Sequence, residues 1–133
     1  MLIVVQARKA SAVGTVPIHV ESRRVDTGEM MVIVIGEVDL ASTPWVDKEI
    51  GRHSGRVVVD LRKVDFMDST GLRALITQHE RLEASGGHLR LLIKTDQHLG
   101  RLLDISGLTG VFDVSDSLHP PENEETPAAD GTA

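Results

Sequence analysis

The residues best suited to chemistry are Asp68, Ser69, Thr70 and Gly71, which stand together in the stretch DFMDSTGL. An apolar run typical of a buried strand precedes them, and apolar residues at helical spacing follow them. A carboxylate, a hydroxyl and a glycine at the start of a helix are compatible with three roles. They can cap the helix, supply a catalytic nucleophile, or accept and release a phosphate.

Capping is the simplest role, since Asp and Ser are favoured at helix N-termini, and Gly71 would then only ease a tight turn. A serine hydrolase would need Gly-x-Ser-x-Gly around its nucleophile, but Met67 stands where the first glycine should be. The six histidines have neither a triad context nor tight metal-ligand spacing. The pattern therefore favours neither a catalytic triad nor a metal site.

A response-regulator receiver is another alternative, because Asp60 ends a predicted buried strand as a phosphoacceptor aspartate would. A receiver also needs an acidic pair after its first strand to hold Mg²⁺. Here Glu37 and Asp39 follow the second predicted strand instead, so the pattern does not favour a receiver.

A reversible phosphosite on Ser69 is the remaining role. The phosphate would lie where free N–H groups and the positive end of the helix dipole converge. It would add roughly −1.5 to −2 charge. The fold could tolerate that group at the surface, whereas a partner docked over it could not.

The composition limits the function classes. With no cysteine, the 133 residues cannot form disulfides or zinc–thiolate sites, and the chain is compatible with a reducing cytoplasm. A net charge of −6 argues against binding to nucleic-acid phosphates. No stretch approaches the roughly 20 apolar residues of a membrane span.

Strand and helix patterns alternate along the chain and predict an α/β domain. We expect a mixed sheet of four or five strands, with helices packed mainly on one face and the first two strands forming a hairpin. Thr43 is the expected cap of a short first helix. The predicted strands cover 16–24, 30–36, 56–61, 88–94 and 111–114, the predicted helices cover 42–51, 69–85 and 95–107, and the predicted core includes Val57, Val58, Val59, Leu91, Leu92 and Ile93.

Three regions follow from these patterns. Residues 1–14 are predicted to be an N-terminal leader, with pairing of the LIVV run to a sheet edge as the alternative. Residues 15–118 form the predicted domain. Residues 119–133 carry four acidic residues, no basic residue and almost no bulky apolar side chain, so we expect a disordered tail.

Four segments occur together in this chain: GEVDLAST, RVVVDLRKVDFMDSTGLRALI, GGHLRLLI and LLDISGLTGVFDVSDSL. In this order and spacing, residues 16 to about 118 resemble a STAS domain of the anti-sigma factor antagonist type. Two features depart from the family. The first helix is shortened to about two turns, and His119-Pro120-Pro121 interrupts the closing helix.

The resemblance implies a phosphorylation switch. In that family the serine of Asp-Ser-x-Gly is phosphorylated by the cognate anti-sigma factor, itself a GHKL-type kinase, and Ser69 occupies this position. The implied partner-binding residues are Asp39, Asp68, Ser69, Thr70 and Gly71. The resemblance also implies a non-catalytic cytoplasmic protein without cofactor, membrane or direct nucleic-acid contact, reset by a phosphatase.

Two alternatives remain open at this point. One is a STAS regulatory subunit of a transporter or stress-sensing complex, in which Ser69 only caps the helix. The other is a serine hydrolase, which would turn over generic esters.

Overall fold

The structure is a computed structural model, and it describes residues 3–9 and 18–118. The predicted tail, residues 119–133, lies outside the described residues, as do residues 10–17. In chain order the elements are β1 (Ile3–Lys9), β2 (Ile18–Arg24), β3 (Met30–Val38), α1 (Thr43–Gly51), β4 (Arg56–Met67), α2 (Ser69–Ala84), β5 (His88–Leu92), α3 (His98–Ile105) and β6 (Asp113–Ser115).

One mixed sheet contains all the described strands, and their spatial order is the same as their order along the chain. β1 pairs with β2 and β2 with β3 in antiparallel fashion, while the pairings from β3 to β6 are parallel. The predicted mixed sheet with an opening hairpin is confirmed by β2–β6. β1 adds a sixth strand at the edge, which corresponds to the edge-pairing alternative for the LIVV run.

The main core lies between the helices and one face of this sheet. Val20, Val34 and Val59 point from the strands into a single apolar cluster with Leu75 of α2 and Leu103 of α3. Because side chains alternate across a strand, Met31, Val58 and Leu92 point to the opposite face, where they form a smaller cluster. Packing of the helices mainly on one face is therefore confirmed.

The six predicted core residues are all buried, with exposed fractions of 7% or less. Their continuous apolar runs, without the alternation of a half-exposed strand, reflect a sheet whose central strands are covered on both faces.

α1 has nine residues, with Pro44 in its first turn, so the predicted length of about two turns is confirmed. The expected Thr43 cap is wrong, because Thr43 already lies inside the helix and its buried hydroxyl has no hydrogen-bond partner among the described residues. The backbone carbonyl of Asp39 accepts from the Thr43 N–H at 2.8 Å instead. The loop before the helix, rather than the helix itself, supplies the cap.

β4 extends further than the sequence indicated, to Met67 rather than Leu61. Its parallel pairing with β3 continues, with two irregularities, as far as Val38 opposite Met67. The two strands therefore end side by side, and the segments that follow them begin at the same place on the sheet edge.

Candidate functional site at the start of helix α2

Two loops meet at this edge of the sheet. The backbone N–H of Asp68 donates to the carbonyl of Val38 at 3.1 Å, which joins the end of β4 to the end of β3. Asp39 follows Val38 directly, so the β3–α1 loop runs beside the first turn of α2. Parallel strands commonly place functional loops at their carboxyl ends in this way.

Asp68 is the N-cap of α2. It has extended backbone dihedrals, and its Oδ1 accepts from the N–H of Thr70 at 2.9 Å and of Gly71 at 3.3 Å. These two N–H groups would otherwise lack partners at the helix end. The capping role proposed for this motif therefore belongs to Asp68 and leaves the neighbouring serine available.

Ser69 is the first residue of α2 and is exposed to solvent. Within the described part of the chain its hydroxyl makes no hydrogen bond. The expectation of free N–H groups around a phosphate here needs correction, because Asp68 already occupies those of Thr70 and Gly71. A phosphate on Ser69 would lie beside a carboxylate instead of replacing it.

Thr70, the rival phosphate acceptor, is half-buried in the second position of the helix. Its greater burial makes its hydroxyl the less accessible of the two.

Gly71 is buried for a reason that the sequence did not reveal. A Cβ atom at this position would lie 2.8 Å from Cγ of Met67 and 2.8 Å from Cγ1 of Val38, which is too close for carbon atoms. Gly71 does not have a positive φ, so glycine is needed here for close packing and not for an unusual backbone conformation. This packing holds the start of α2 against the ends of β3 and β4.

Asp39 organises the neighbouring loop. Its Oδ1 accepts from the N–H groups of Ala41 and Ser42, both at 3.0 Å. The Ser42 hydroxyl donates to the carbonyl of Glu37 at 2.6 Å and accepts from the N–H of Asp39 at 2.9 Å. Asp39 therefore lies at the predicted surface, but its carboxylate is used within the loop and not at the Ser69 hydroxyl.

Two exposed apolar residues in these segments were not among the predicted site residues. Leu40 follows Asp39 and is 75% exposed, and Phe66 precedes Met67 and is 45% exposed. The available sequence signal was an isolated Leu in an otherwise polar loop, which by itself is common at protein surfaces.

A cleft of about 310 Å³ adjoins Phe66, between the end of β4 and the β5–α3 loop. Arg62, Lys94 and His98 contribute to its walls. Gln97 also lines it, and its side-chain amide donates to the carbonyls of Leu61 at 2.8 Å and Val64 at 3.0 Å.

Among the described residues, Ser69 has no histidine or carboxylate hydrogen-bonded to its hydroxyl, as the hydrolase alternative would need. A hydrogen-bonded Ser, His and Glu group lies elsewhere, where the Ser22 hydroxyl donates to Glu49 at 2.5 Å and accepts from Nε2 of His53 at 2.9 Å. Ser22 and Glu49 have no exposed surface, so a substrate cannot reach this serine. Burial, the largest influence, lowers the pKa of His53, and Glu49 partly opposes it. The group joins α1 to β2 in the core.

Comparison with known proteins identifies the fold. The STAS domain family profile matches residues 21–120. The anti-sigma-B factor antagonist of Bacillus subtilis is 30% identical over 90 residues, covering 65% of this chain and 82% of that protein. That of Listeria monocytogenes is 31% identical over 101 residues, covering 73% and 88% respectively.

The chain belongs to the STAS-domain family of anti-sigma factor antagonists. A crystal structure of an anti-sigma factor antagonist from Mycobacterium paratuberculosis superposes with a TM-score of 0.70 at 25% identity, covering 80% of this chain and 92% of that one. The sequence-based resemblance is therefore confirmed, as is the STAS-like fold.

Two further properties of the described residues concern membrane-spanning helices and metal-ligand clusters. Residues 3–9 and 18–118 contain no helix with the length and apolar character needed to cross a membrane. The same residues bring no three His, Asp or Glu side chains into an arrangement that could hold a metal ion.

Proposed function

We propose that this STAS domain is a non-catalytic, cytoplasmic regulator controlled by phosphorylation of Ser69. Unphosphorylated, it binds an anti-sigma factor with GHKL-type serine kinase activity and thereby releases a sigma factor for transcription. Phosphorylated by that kinase, it dissociates, and a phosphatase resets it. The docking surface comprises Asp39, Asp68, Ser69, Thr70 and Gly71, and the protein needs no cofactor of its own.

The exposed hydroxyl of Ser69, which makes no hydrogen bond to the described residues, is the observation that carries this proposal. A kinase must bring the γ-phosphate of ATP in line with an accessible hydroxyl. Ser69 offers such a hydroxyl at the first residue of a helix whose cap is supplied by its neighbour Asp68. Phosphate transfer therefore need not disrupt the capping bonds of α2.

The charge around Ser69 explains how one phosphate could release a partner. The segments 37–42 and 64–72 contain four acidic residues, and exposed Lys63 and Arg73 flank the second segment. A phosphate adds about −1.5 to −2 charge to this mainly acidic surface. Burying it without a new counter-charge would cost several kcal/mol, and each ~1.4 kcal/mol weakens binding tenfold.

Binding measurements with Ser69 variants test the proposal. Each GHKL-type serine kinase encoded by the source genome would be purified and titrated calorimetrically with the wild type, Ser69→Ala and Ser69→Glu. Ser69→Ala should bind one of them and stay bound when ATP is added, whereas Ser69→Glu should bind it at least about tenfold more weakly.

Phosphopeptide mapping of the wild type after incubation with kinase and ATP should place the phosphate on Ser69. Phosphate on Thr70 alone would overturn the assignment. If Ser69→Ala and Ser69→Glu bound every kinase equally well, the switch itself would be wrong, and a STAS regulatory subunit with a structural Ser69 would be the better account.

A further inference from the structure

The outer face of α2 carries Ser69 and Arg73 one turn apart. Both are exposed, and the exposed row continues at Thr77, whereas Leu72 and Leu75 are buried on the inner face. Residues four apart in an α-helix are neighbours on one face, with their Cβ atoms about 5–6 Å apart. A group attached to Ser69 is therefore within reach of the long Arg73 side chain.

The Arg73 guanidinium carries a charge that the folded domain does not use. It makes no hydrogen bond or ion pair with the described residues. The other arginine of the helix, Arg81, is engaged, since its Nε donates to Gln78 at 2.7 Å and its Nη2 to the carbonyl of His53 at 2.9 Å. Within residues 69–80, Arg73 is the only Lys or Arg in the sequence.

A phosphate on Ser69 would need such a cation. Asp68 already holds the N–H groups of Thr70 and Gly71, so those donors are not free for phosphate oxygens. The Asp68 carboxylate would also repel a group of about −1.5 to −2 charge. The guanidinium of Arg73 offers parallel N–H donors whose spacing matches two phosphate oxygens.

The other cations of the neighbouring strand are less suitable. Arg62 is bonded to Asp60 through both Nε and Nη2, each at 2.9 Å. Lys63 is exposed, but roughly 13 Å of extended strand separates it from Met67, which itself lies two residues before Ser69. That separation exceeds the distance over which exposed charges interact strongly at physiological salt.

We infer that Arg73 binds the phosphate of phosphorylated Ser69 within α2 and thereby stabilises the released form of this regulator. The inference rests on the proposed function, because it concerns the product of that phosphorylation. One guanidinium offsets one charge of the phosphate, so the pair keeps about −0.5 to −1. A partner covering Ser69 would still have to desolvate this pair, and the contact is therefore compatible with release.

A thermodynamic cycle on the purified full chain tests the contact without a kinase. Phosphoserine is placed at position 69 by genetic-code expansion, in the wild type and in Arg73→Gln, and each melting temperature is compared with that of the unphosphorylated protein. Without phosphate, Arg73→Gln should be nearly neutral, because the guanidinium has no partner to lose. With phosphate, it should lower the melting temperature by about 2–4 °C more.

Two further variants are controls for charge and geometry. Arg73→Lys keeps the charge without the planar fork and should retain part of the phosphate-dependent difference. Lys63→Gln removes an equal charge from an exposed position outside reach of Ser69 and should show no phosphate-dependent difference. An equal difference in Lys63→Gln and Arg73→Gln would reflect general surface charge and would overturn the assignment to Arg73.

The second pKa of the phosphate is a readout that does not depend on stability. A neighbouring cation favours the dianion, so Arg73→Gln should raise this pKa, as followed by ³¹P NMR during a pH titration. An unchanged pKa, or a melting-temperature change that is equal with and without phosphate, would overturn the contact and leave the Ser69 switch unaffected. Failure of every kinase to phosphorylate Ser69, seen in phosphopeptide mapping, would instead overturn the proposed function and the regulatory role of Arg73 with it.

Discussion

Gly71 shows how a single missing methyl group positions the site. Replacing it with alanine would normally favour a helix by about 1 kcal/mol. Here the new Cβ would lie 2.8 Å from side-chain atoms of both Met67 and Val38. We expect Gly71→Ala to lower the free energy of unfolding by about 1–3 kcal/mol, because overpacking outweighs helix propensity. Urea denaturation of the two proteins measures this difference.

Gly51, the last residue of α1, is a suitable control. A Cβ there would meet the Nε2 atom of Gln78 at 3.5 Å, an ordinary contact, and Gly51 does not have a positive φ. Gly51→Ala should be neutral or stabilising by up to about 1 kcal/mol. Equal effects of the two substitutions would show that close packing does not explain Gly71.

At the residue scale, the sequence was informative where the interaction is local. The Asp68 cap could be predicted because the acceptor and its donors lie within three residues. The Asp39 carboxylate bonds within its own loop because the end of β3 and the Ser42 hydroxyl lie beside it. Leu40 is exposed because no other described element covers its side of the loop. Neither follows from residue type or spacing.

His88 joins two elements at the opposite end of α2. Its Nδ1 bonds Glu83 of α2 at 3.0 Å, and its Nε2 bonds Asp113 of β6 at 2.8 Å. The hydrogen bond to Asp113 is the largest influence raising the pKa of His88, and the bond to Glu83 adds to it. The protonated imidazole therefore connects the long helix to the short edge strand.

The raised pKa of His88 gives a pH dependence of definite sign. The folded protein holds this proton more tightly, so the stabilisation is fully present below the unpaired value of 6.5 and is lost as pH rises through the folded pKa. His88→Gln, which cannot be protonated, should lower the melting temperature more at about pH 5.5 than at about pH 8.5. Thermal denaturation at the two pH values measures it, and an equal decrease at both would contradict it.

The melting temperature of His88→Gln must be compared with that of the wild type at each pH, because His53 changes the stability with pH in the opposite direction. Burial lowers the pKa of His53, so the unfolded state binds its proton more readily and acidification destabilises the fold through this residue. The raw pH dependence of the wild type mixes the two contributions, whereas the difference between wild type and His88→Gln isolates one.

The elements themselves were predictable, but their ends were less so. Continuous Val and Leu runs indicated the central strands, and the apolar spacing after Ser69 indicated α2. The extension of β4 to Met67 could not be read from the polar residues Arg62, Lys63 and Asp65, because the strand is continued by the pairing of Lys63, Val64, Phe66 and Met67 with β3. That pairing is a tertiary effect that overrides local preference.

At the scale of the whole molecule, the two faces of the sheet should respond differently to a buried charge. Val59 faces the helices in the main core, whereas Val58 faces the smaller cluster, and both are fully buried. Val58 pairs with Arg90, whose guanidinium already forms an ion pair with buried Glu29 at 3.2 Å and whose Nη1 has no hydrogen-bond partner within the described chain. A carboxylate at position 58 would share this guanidinium with Glu29, whereas one at position 59 would lie in the apolar main core.

We expect Val59→Asp to abolish the cooperative unfolding transition, since an unpaired buried charge costs several kcal/mol of a total stability of about 5–15 kcal/mol. Val58→Asp should remain folded with a reduced melting temperature. Circular dichroism and the dispersion of amide NMR signals distinguish these results. The opposite order of severity would show that Arg90 does not compensate the new charge.

The strands lie in the sheet in the same order as along the chain, and this has a consequence for synthesis on the ribosome. From β2 to β6, each strand pairs with the strand made just before it, and no strand has to wait for a later one to separate it from its neighbour. Sheet formation can therefore proceed in the direction of translation, and short sequence separations between paired strands favour fast folding. The growing chain would expose one unfinished edge at a time, and the first turn of α2 would be complete before β5 and β6 leave the ribosome.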